Sequence, residues 1–261
     1  MQWAPLPQLD VRALPTSGPS IITAHDILPR RTREKIALWR RVYNRFDRIV
    51  VHSEHGRQRL IDEVGIEEDM ASVIPHPVFP GAVDRADDGR TVLALGVIRS
   101  YKQIDHAIAA CQENDARLLV LGDPTFALED RVNLPDTEWR LGYQSHVQLQ
   151  TALTEATVAI FPYREELDQS GALLRALGSG VPVVTYDVGG MAEPVCTFGA
   201  GTVVAANDQD ALAQAVRELL EDDTKLEMAR QGALRARQEL TWDAAAQAHL
   251  ALYQEITGVA E

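Results

Sequence analysis

Between residues 157 and 187 the chain runs from an apolar strand through a short polar stretch into a helix, and then into a second apolar strand. Few folds accommodate that order. Val158, Ala159, Ile160 and Phe161 follow Thr157 without a polar break, until Pro162 and an acidic run end the strand. Ala172, Leu173, Ala176 and Leu177 then share one helical face, and Gly178 and Gly180 stop the helix. Residues 181–186 form the next buried strand. Strand, loop, helix and strand make a βαβ unit, and repeated units build a parallel sheet with helices on both faces. Ligands in such sheets bind beyond the C-terminal ends of the strands. Ser170 and Gly171 stand at that edge, where the helix opens. Two readings fit them. Ser170 is a plain helix cap, or the free N–H groups meet a phosphate that Gly171 lets close to the backbone.

The same rhythm extends on both sides. Strands at 91–95, 117–121, 158–161, 181–186 and 202–204 alternate with helices over 105–113, 145–155, 208–220 and 223–239. Upstream, strands at 21–24, 48–52 and 71–74 flank helices over 30–48 and 54–64. Pro75 and Pro77 forbid a helix and favour an extended linker. The expected organisation is therefore an α/β chain with a first domain over 1–77 and a second over 78–240. A C-terminal helix over 241–261 is expected to pack back on the first. Residues 1–20, with Pro5, Pro7, Pro15 and Pro19, look like a connecting stretch.

Composition removes several function classes. A net charge of -13 disfavours nucleic acid as a partner. Cys111 and Cys196 have neither metal spacing nor a disulfide framework around them. No apolar run is long enough to span a membrane and no signal-peptide pattern opens the chain, so a cytoplasmic protein is expected. The absence of GxGxxG after a strand argues against a dinucleotide oxidoreductase. One local exception to the acidic balance is the segment 30–48. It carries eight basic residues against Glu34 and Asp47, with Ile36, Trp39, Tyr43 and Phe46 on one face. Either it makes a weak peripheral contact with anionic lipid or a phosphorylated acceptor, or it is a solvated arginine face over a packed aromatic stripe.

The chemistry-bearing residues gather at strand ends. The strand at 91–95 runs into Gly96, Val97, Ile98, Arg99, Ser100, Tyr101 and Lys102. A guanidinium grips two phosphate oxygens in a fork and an ammonium adds a point charge. With the start of the helix at Gly171, Arg99 and Lys102 would make a diphosphate cradle. His25 ends the first strand, placed for function or for a structural hydrogen bond.

LGVIRSYKQIDHAIAA, LGD at 121–123, LGY at 141–143, SGALLRALGSGVPVVTYDVGGMAEPV and TWDAAAQAHLALY together resemble the nucleotide-sugar domain of GT-B glycosyltransferases of group 1 or family 4 type. TAHDILPR, IVVHSEHGRQRL and VIPHPV resemble the second half of that family's N-terminal domain, so the likeness runs from about residue 20 to 256. It implies two Rossmann-like domains and transfer of a sugar, with retention, from a nucleotide-diphosphate sugar to an acceptor hydroxyl. No metal and no other cofactor are required. Arg99 and Lys102 match the basic pair that holds the diphosphate, with Gly96 ahead of them in the donor site. Gly142 and Tyr143 match the loop at the nucleobase, unless they are only a turn and a packed ring. Ser170 and Gly171 match the helix start that meets phosphate and donor sugar, and His25 matches a histidine near the reacting sugar.

Two departures qualify the likeness. The family's paired glutamates align with Leu167 and Arg175. Asp168 or Glu166 would take over the first, on a donor-sugar hydroxyl. Arg175 cannot accept from a ribose, so that donor contact is lost or reversed, or Arg175 is a surface charge. The chain also starts partway through the first domain, leaving it incomplete, with a raw sheet edge that a protein partner or oligomer would cover. The acceptor is expected to be lipid-linked or a glycan. A non-catalytic or partner-dependent nucleotide-sugar-binding module is the rival reading, and a sugar-nucleotide epimerase of similar build a third.

Overall fold

The computed structural model describes residues 18–29, 32, 34–128, 131, 133–164 and 168–258. The chain divides into two compact units, one of Met1–Pro77, Leu167–Gln169 and Leu240–Glu261, the other of Val78–Glu166 and Ser170–Glu239.

The first unit holds a three-stranded parallel sheet of β1 (Ile21–Thr23), β2 (Arg48–Val51) and β3 (Ala71–Val73), in that order. Side chains alternate across a strand, and β2 uses both faces. Ile49 and Val51 join the larger core with Ile22, Ile27, Tyr43 and Leu60. Val50 turns the other way, onto Ile74 and onto Leu252 of the last helix, Trp242–Thr257. Arg48 on β2 also pairs with Glu255 of that helix at 2.7 Å.

Helix α1 (Ile36–Tyr43) is shorter than the 30–48 expected, and Arg30, Arg31 and Arg33 lie outside the described residues. Its aromatic stripe packs as the periodicity demands, with Trp39, Val42 and Tyr43 buried and Phe46 folded in after the helix has ended. Arg41 and Arg45 stay exposed, whereas Arg40 donates to the Val64 carbonyl. The chain then turns at Gly65, beside the Arg40 guanidinium, with a φ of 75° that residues other than glycine rarely adopt. Helix α2 (Glu54–Arg59), capped by Ser53, widens into a π turn over Leu60–Val64 just before it.

The second unit is a six-stranded, all-parallel sheet. Its strands are β4 (Thr91–Leu95), β5 (Arg117–Gly122), β6 (Thr137–Leu141), β7 (Val158–Phe161), β8 (Val183–Tyr186) and β9 (Gly201–Val204). They lie in the order β6-β5-β4-β7-β8-β9. The helices between them are α3 (Ile104–Glu113), α4 (His146–Glu155), α5 (Gly171–Gly178), α6 (Ala192–Phe198), α7 (Gln209–Glu221) and α8 (Asp223–Glu239). Strands β4, β7 and β8 are buried along their whole length, as a sheet covered on both faces requires.

The chain builds outward from β4 to β6, then returns to lay β7 on the other side of β4. That reversal is a topological switch point, where a crevice opens beyond the strand ends. Strand β6 and helix α6 have no counterpart in the pattern read from the sequence. Strand β8 begins at Val183, two residues later than expected, because Pro182 has no N–H to give the ladder. Among the described residues no helix is long and apolar enough to cross a membrane.

Candidate functional site

At the switch point the ends of β4 and β5 are tied together before either loop departs. Gly96 N–H donates to Leu121 O at 2.9 Å, Ile98 N–H to Asp123 O at 2.8 Å, and Thr125 N–H to Ile98 O at 2.9 Å. Only glycine permits this at 122, where φ is 148° and a Cβ would stand 2.3 Å from the Gly96 carbonyl oxygen. A tight turn over Ser100–Lys102 then folds Lys102 back over the strand ends. Its Nζ donates to Leu95 O at 3.1 Å and stands 5.0 Å from the centre of the Tyr163 ring. A Cβ on Gly96 would lie 3.0 Å from that Nζ and 3.5 Å from Ala172 Cβ, so Gly96 is the gap between the ammonium and the first turn of α5.

Among the described residues no carboxylate balances this charge. Burial, and then the neighbouring Arg99, pull the Lys102 ammonium down to about 8. Helix α5 contributes on the other side of the gap. Ser170 is buried and accepts from Leu173 N–H at 3.4 Å, the behaviour of a plain cap. Ahead of that bond, the N–H groups of Gly171 and Ala172 find no acceptor among the described residues. A Cβ on Gly171 would touch only Phe79, at 3.7 Å, so sterics do not demand a glycine there.

A cavity of about 350 Å³ opens beside this gap, its walls including Gly96, Gly122, Gly142, Tyr143, Ala172 and Arg175. Gly142 has φ 89° and open space where a side chain would stand, and Tyr143 is 93% exposed, so it is not a packed ring. The Gln144 amide donates to the carbonyls of Arg140, Leu141 and Gly142 at 3.0, 3.2 and 3.1 Å, which fixes the loop backbone. Arg175 is not a free surface charge. Its guanidinium lies 4.5 Å over the Phe79 ring and faces the cavity. Arg99 departs from expectation. It is exposed, whereas the Lys102 ammonium sits against Gly96, so Lys102 alone of the pair is built into the gap.

Asp168 has a different task from the donor contact expected of it. It is buried in the first unit, where Oδ2 accepts from Ile27 N–H at 2.9 Å and Oδ1 stands 3.6 Å from the Arg59 guanidinium. Burial raises its carboxyl above the ordinary range, against the pull of Ile27 N–H and Arg59. It therefore anchors the segment that follows His25. Glu166 lies outside the described residues.

His25 has company that sequence reasoning missed. His25, His52 and His76 follow the ends of β1, β2 and β3, three adjacent strands of one sheet. His52 Nε2 and His25 Nδ1 are 2.9 Å apart, and His52 Nδ1 is 2.9 Å from Ile74 O. The His76 ring centre is 5.1 Å from that of His52 and 6.0 Å from that of His25. Burial brings His52 down to about 4, and burial and His76 lower His25 as well. The recurring signal was visible as ITAH, IVVH and VIPH, each an apolar run ending in histidine. Among the described residues no group of three or more His, Cys, Asp or Glu side chains is placed to hold a metal ion.

Comparison with known proteins agrees with this layout. A family described as Glycosyl transferases group 1 matches residues 89–222, and Glycosyltransferase Family 4 matches residues 3–80. An exopolysaccharide phosphotransferase of Streptomyces coelicolor is 30% identical over 192 residues, 69% of this chain and 20% of that protein. A D-inositol 3-phosphate glycosyltransferase of Acidothermus cellulolyticus is 27% identical over 240 residues, 80% of this chain and 53% of its own length. The chain thus spans from a fifth to about half of these relatives.

Among solved structures, a sucrose-phosphate synthase from Thermosynechococcus elongatus has a TM-score of 0.77 at 22% identity, over 92% of this chain and 68% of that one. Anabaena HepE, solved in complex with UDP and glucose, has a TM-score of 0.75 at 16% identity, over 90% of this chain and 71% of that one. These likenesses establish a GT-B-like pair of Rossmann-type parallel sheets. The first family match takes in about half of the chain, including the whole six-stranded sheet. The chain belongs to the group 1 glycosyltransferases.

Proposed function

We propose that the chain moves a sugar, with retention, from a nucleoside-diphosphate sugar to an acceptor hydroxyl. One observation carries this reading: an ammonium without a counter-ion among the described residues faces the open start of a helix across a glycine, beside a cavity of about 350 Å³. A diphosphate supplies the missing negative charge. Lys102 and the N–H groups of Gly171 and Ala172 would hold its oxygens, and Arg99 would reach them from the exposed loop. The loop at Gly142 and Tyr143 and the stacked Arg175 would border the nucleoside. HepE, solved with UDP and glucose, supports a donor of this class.

Catalysis would be electrostatic, because preorganised charges and N–H dipoles stabilise the departing diphosphate more as its charge grows. His25 would meet a hydroxyl of the reacting sugar. The acceptor would be a glycan or a lipid-linked glycan, with the exposed Arg41 and Arg45 available to an anionic surface. Titration calorimetry with a panel of nucleotide sugars, followed by donor-hydrolysis and transfer assays, tests this proposal. Lys102→Ala is expected to lower turnover by about 10²-fold or more, and Arg99→Ala by less. Binding without turnover in the parent chain would favour a donor-binding module, and no binding by any donor would overturn the site.

A further inference from the structure

The histidines of the first unit carry an assignment that distances alone decide. The Ile74 carbonyl can only accept, so the 2.9 Å contact places a proton on His52 Nδ1. A neutral imidazole has one N–H, which leaves His52 Nε2 as an acceptor. The group 2.9 Å from it, His25 Nδ1, must then donate. We propose that His52 is a positioning residue that holds His25 in one tautomer, with the proton on Nδ1 and the lone pair of Nε2 turned to its ligand.

The opposite direction needs a charged His52, donating from both nitrogens. That ring is buried and faces His25, His76 and His249, and among the described residues no carboxylate acts on it. His25 itself is exposed, beside Asp26, with His52 and His76 against it, and Trp242 packs on the far side of His76. The relay therefore runs outward from Ile74 O through two neutral rings to His25 Nε2. A ring held this way accepts a hydrogen bond from a hydroxyl, whereas the other tautomer would present a donor. The consequence for turnover rests on the proposed sugar transfer; the tautomer itself does not.

Histidine-selective ¹⁵N labelling of the full chain and two-bond ¹H–¹⁵N spectra at pH 7.5 read the protonated nitrogen of each ring directly. His25→Gln and His52→Gln provide the assignments. Both rings are expected to be protonated at Nδ1 and bare at Nε2. A His25 protonated at Nε2, or averaging between the two forms, overturns the proposal.

The second arm is His52→Leu, which removes the acceptor and should let the His25 signals average. It is expected to lower kcat about 10- to 100-fold, by likeness to the loss when the partner orienting a metal-ligating histidine is removed, with the donor KM unchanged. In His52→Gln the amide oxygen can replace Nε2, which should restore both the tautomer and most of kcat. Equal kcat in the Leu variant and the parent would end the positioning role. A parent chain with no transfer at all would count against the sugar-transfer reading, and the spectra would still decide the tautomer.

Discussion

Binding of a nucleotide sugar should draw protons from the buffer, and the amount is set by Lys102. In the free protein its ammonium titrates at about 8, because burial and Arg99 oppose the charge. A diphosphate placed against it reverses that balance and returns the group to full protonation. With half of the free population deprotonated at pH 8, each binding event should take up about 0.5 proton there and about 0.1 at pH 7. A lysine at its ordinary value near 10.5 would take up almost none at either pH.

Calorimetry in pairs of buffers with different ionisation enthalpies measures the uptake. His52, held down to about 4 by burial, is already neutral in this window and stays silent, and burial shifts His25 in the same direction. Lys102→Arg supplies the control, since a guanidinium remains charged throughout and should bind with no uptake. Uptake near zero in the parent at pH 8, or the same uptake in Lys102→Arg, would remove Lys102 from the anion site. The sign extends to stability. Depression of the folded value means that charge on Lys102 costs stability below pH 8, and the cost fades as pH rises from 8 toward 10.5.

The structural supports of the site make further predictions. Gly122→Ala sets a Cβ 2.3 Å from the Gly96 carbonyl oxygen at a φ of 148°. It should cost about 2–3 kcal/mol in thermal denaturation and abolish donor binding along with it. Asp168→Ala should lower stability by about 1–3 kcal/mol, since Ile27 N–H loses its acceptor, while the donor Kd by calorimetry stays unchanged. Asp168→Asn, which can still accept from Ile27 and carries no buried charge, should be the milder change. Arg175→Ala removes the guanidinium stacked on Phe79. It should weaken donor binding about fivefold, the equivalent of roughly 1 kcal/mol, with little loss of stability.

Period and punctuation made the central strands legible. Residues 91–95 and 158–161 are apolar almost throughout because both faces of the sheet are covered. Strand β6, Thr-Glu-Trp-Arg-Leu, escaped for the opposite reason. At the sheet edge it stays half exposed, and its charges are held laterally, Arg140 to Glu138 at 2.6 Å and to Glu155 at 2.7 Å. Helix α6 is seven residues long, too short for a 3.6-residue period to declare itself.

The site was harder to read because its chemistry depends on direction, and spacing does not fix direction. Arg99 and Lys102, three residues apart, were expected to grip one ligand together. Arg99 is extended, with φ −117° and ψ 155°, while Lys102 ends a tight turn that Gln103 closes at φ 45°. One side chain faces solvent and the other is drawn over Gly96. Asp168 shows the same limit. It sits two residues before Ser170 yet belongs to the other unit's core, a neighbour in sequence that three-dimensional packing assigns elsewhere. The three histidines reverse the case, standing 27 and 24 residues apart in sequence. They meet only because parallel strands in adjacent register deliver their C-terminal ends to one edge. A motif search by residue type and spacing cannot find such a cluster; a search for like residues at successive strand ends can.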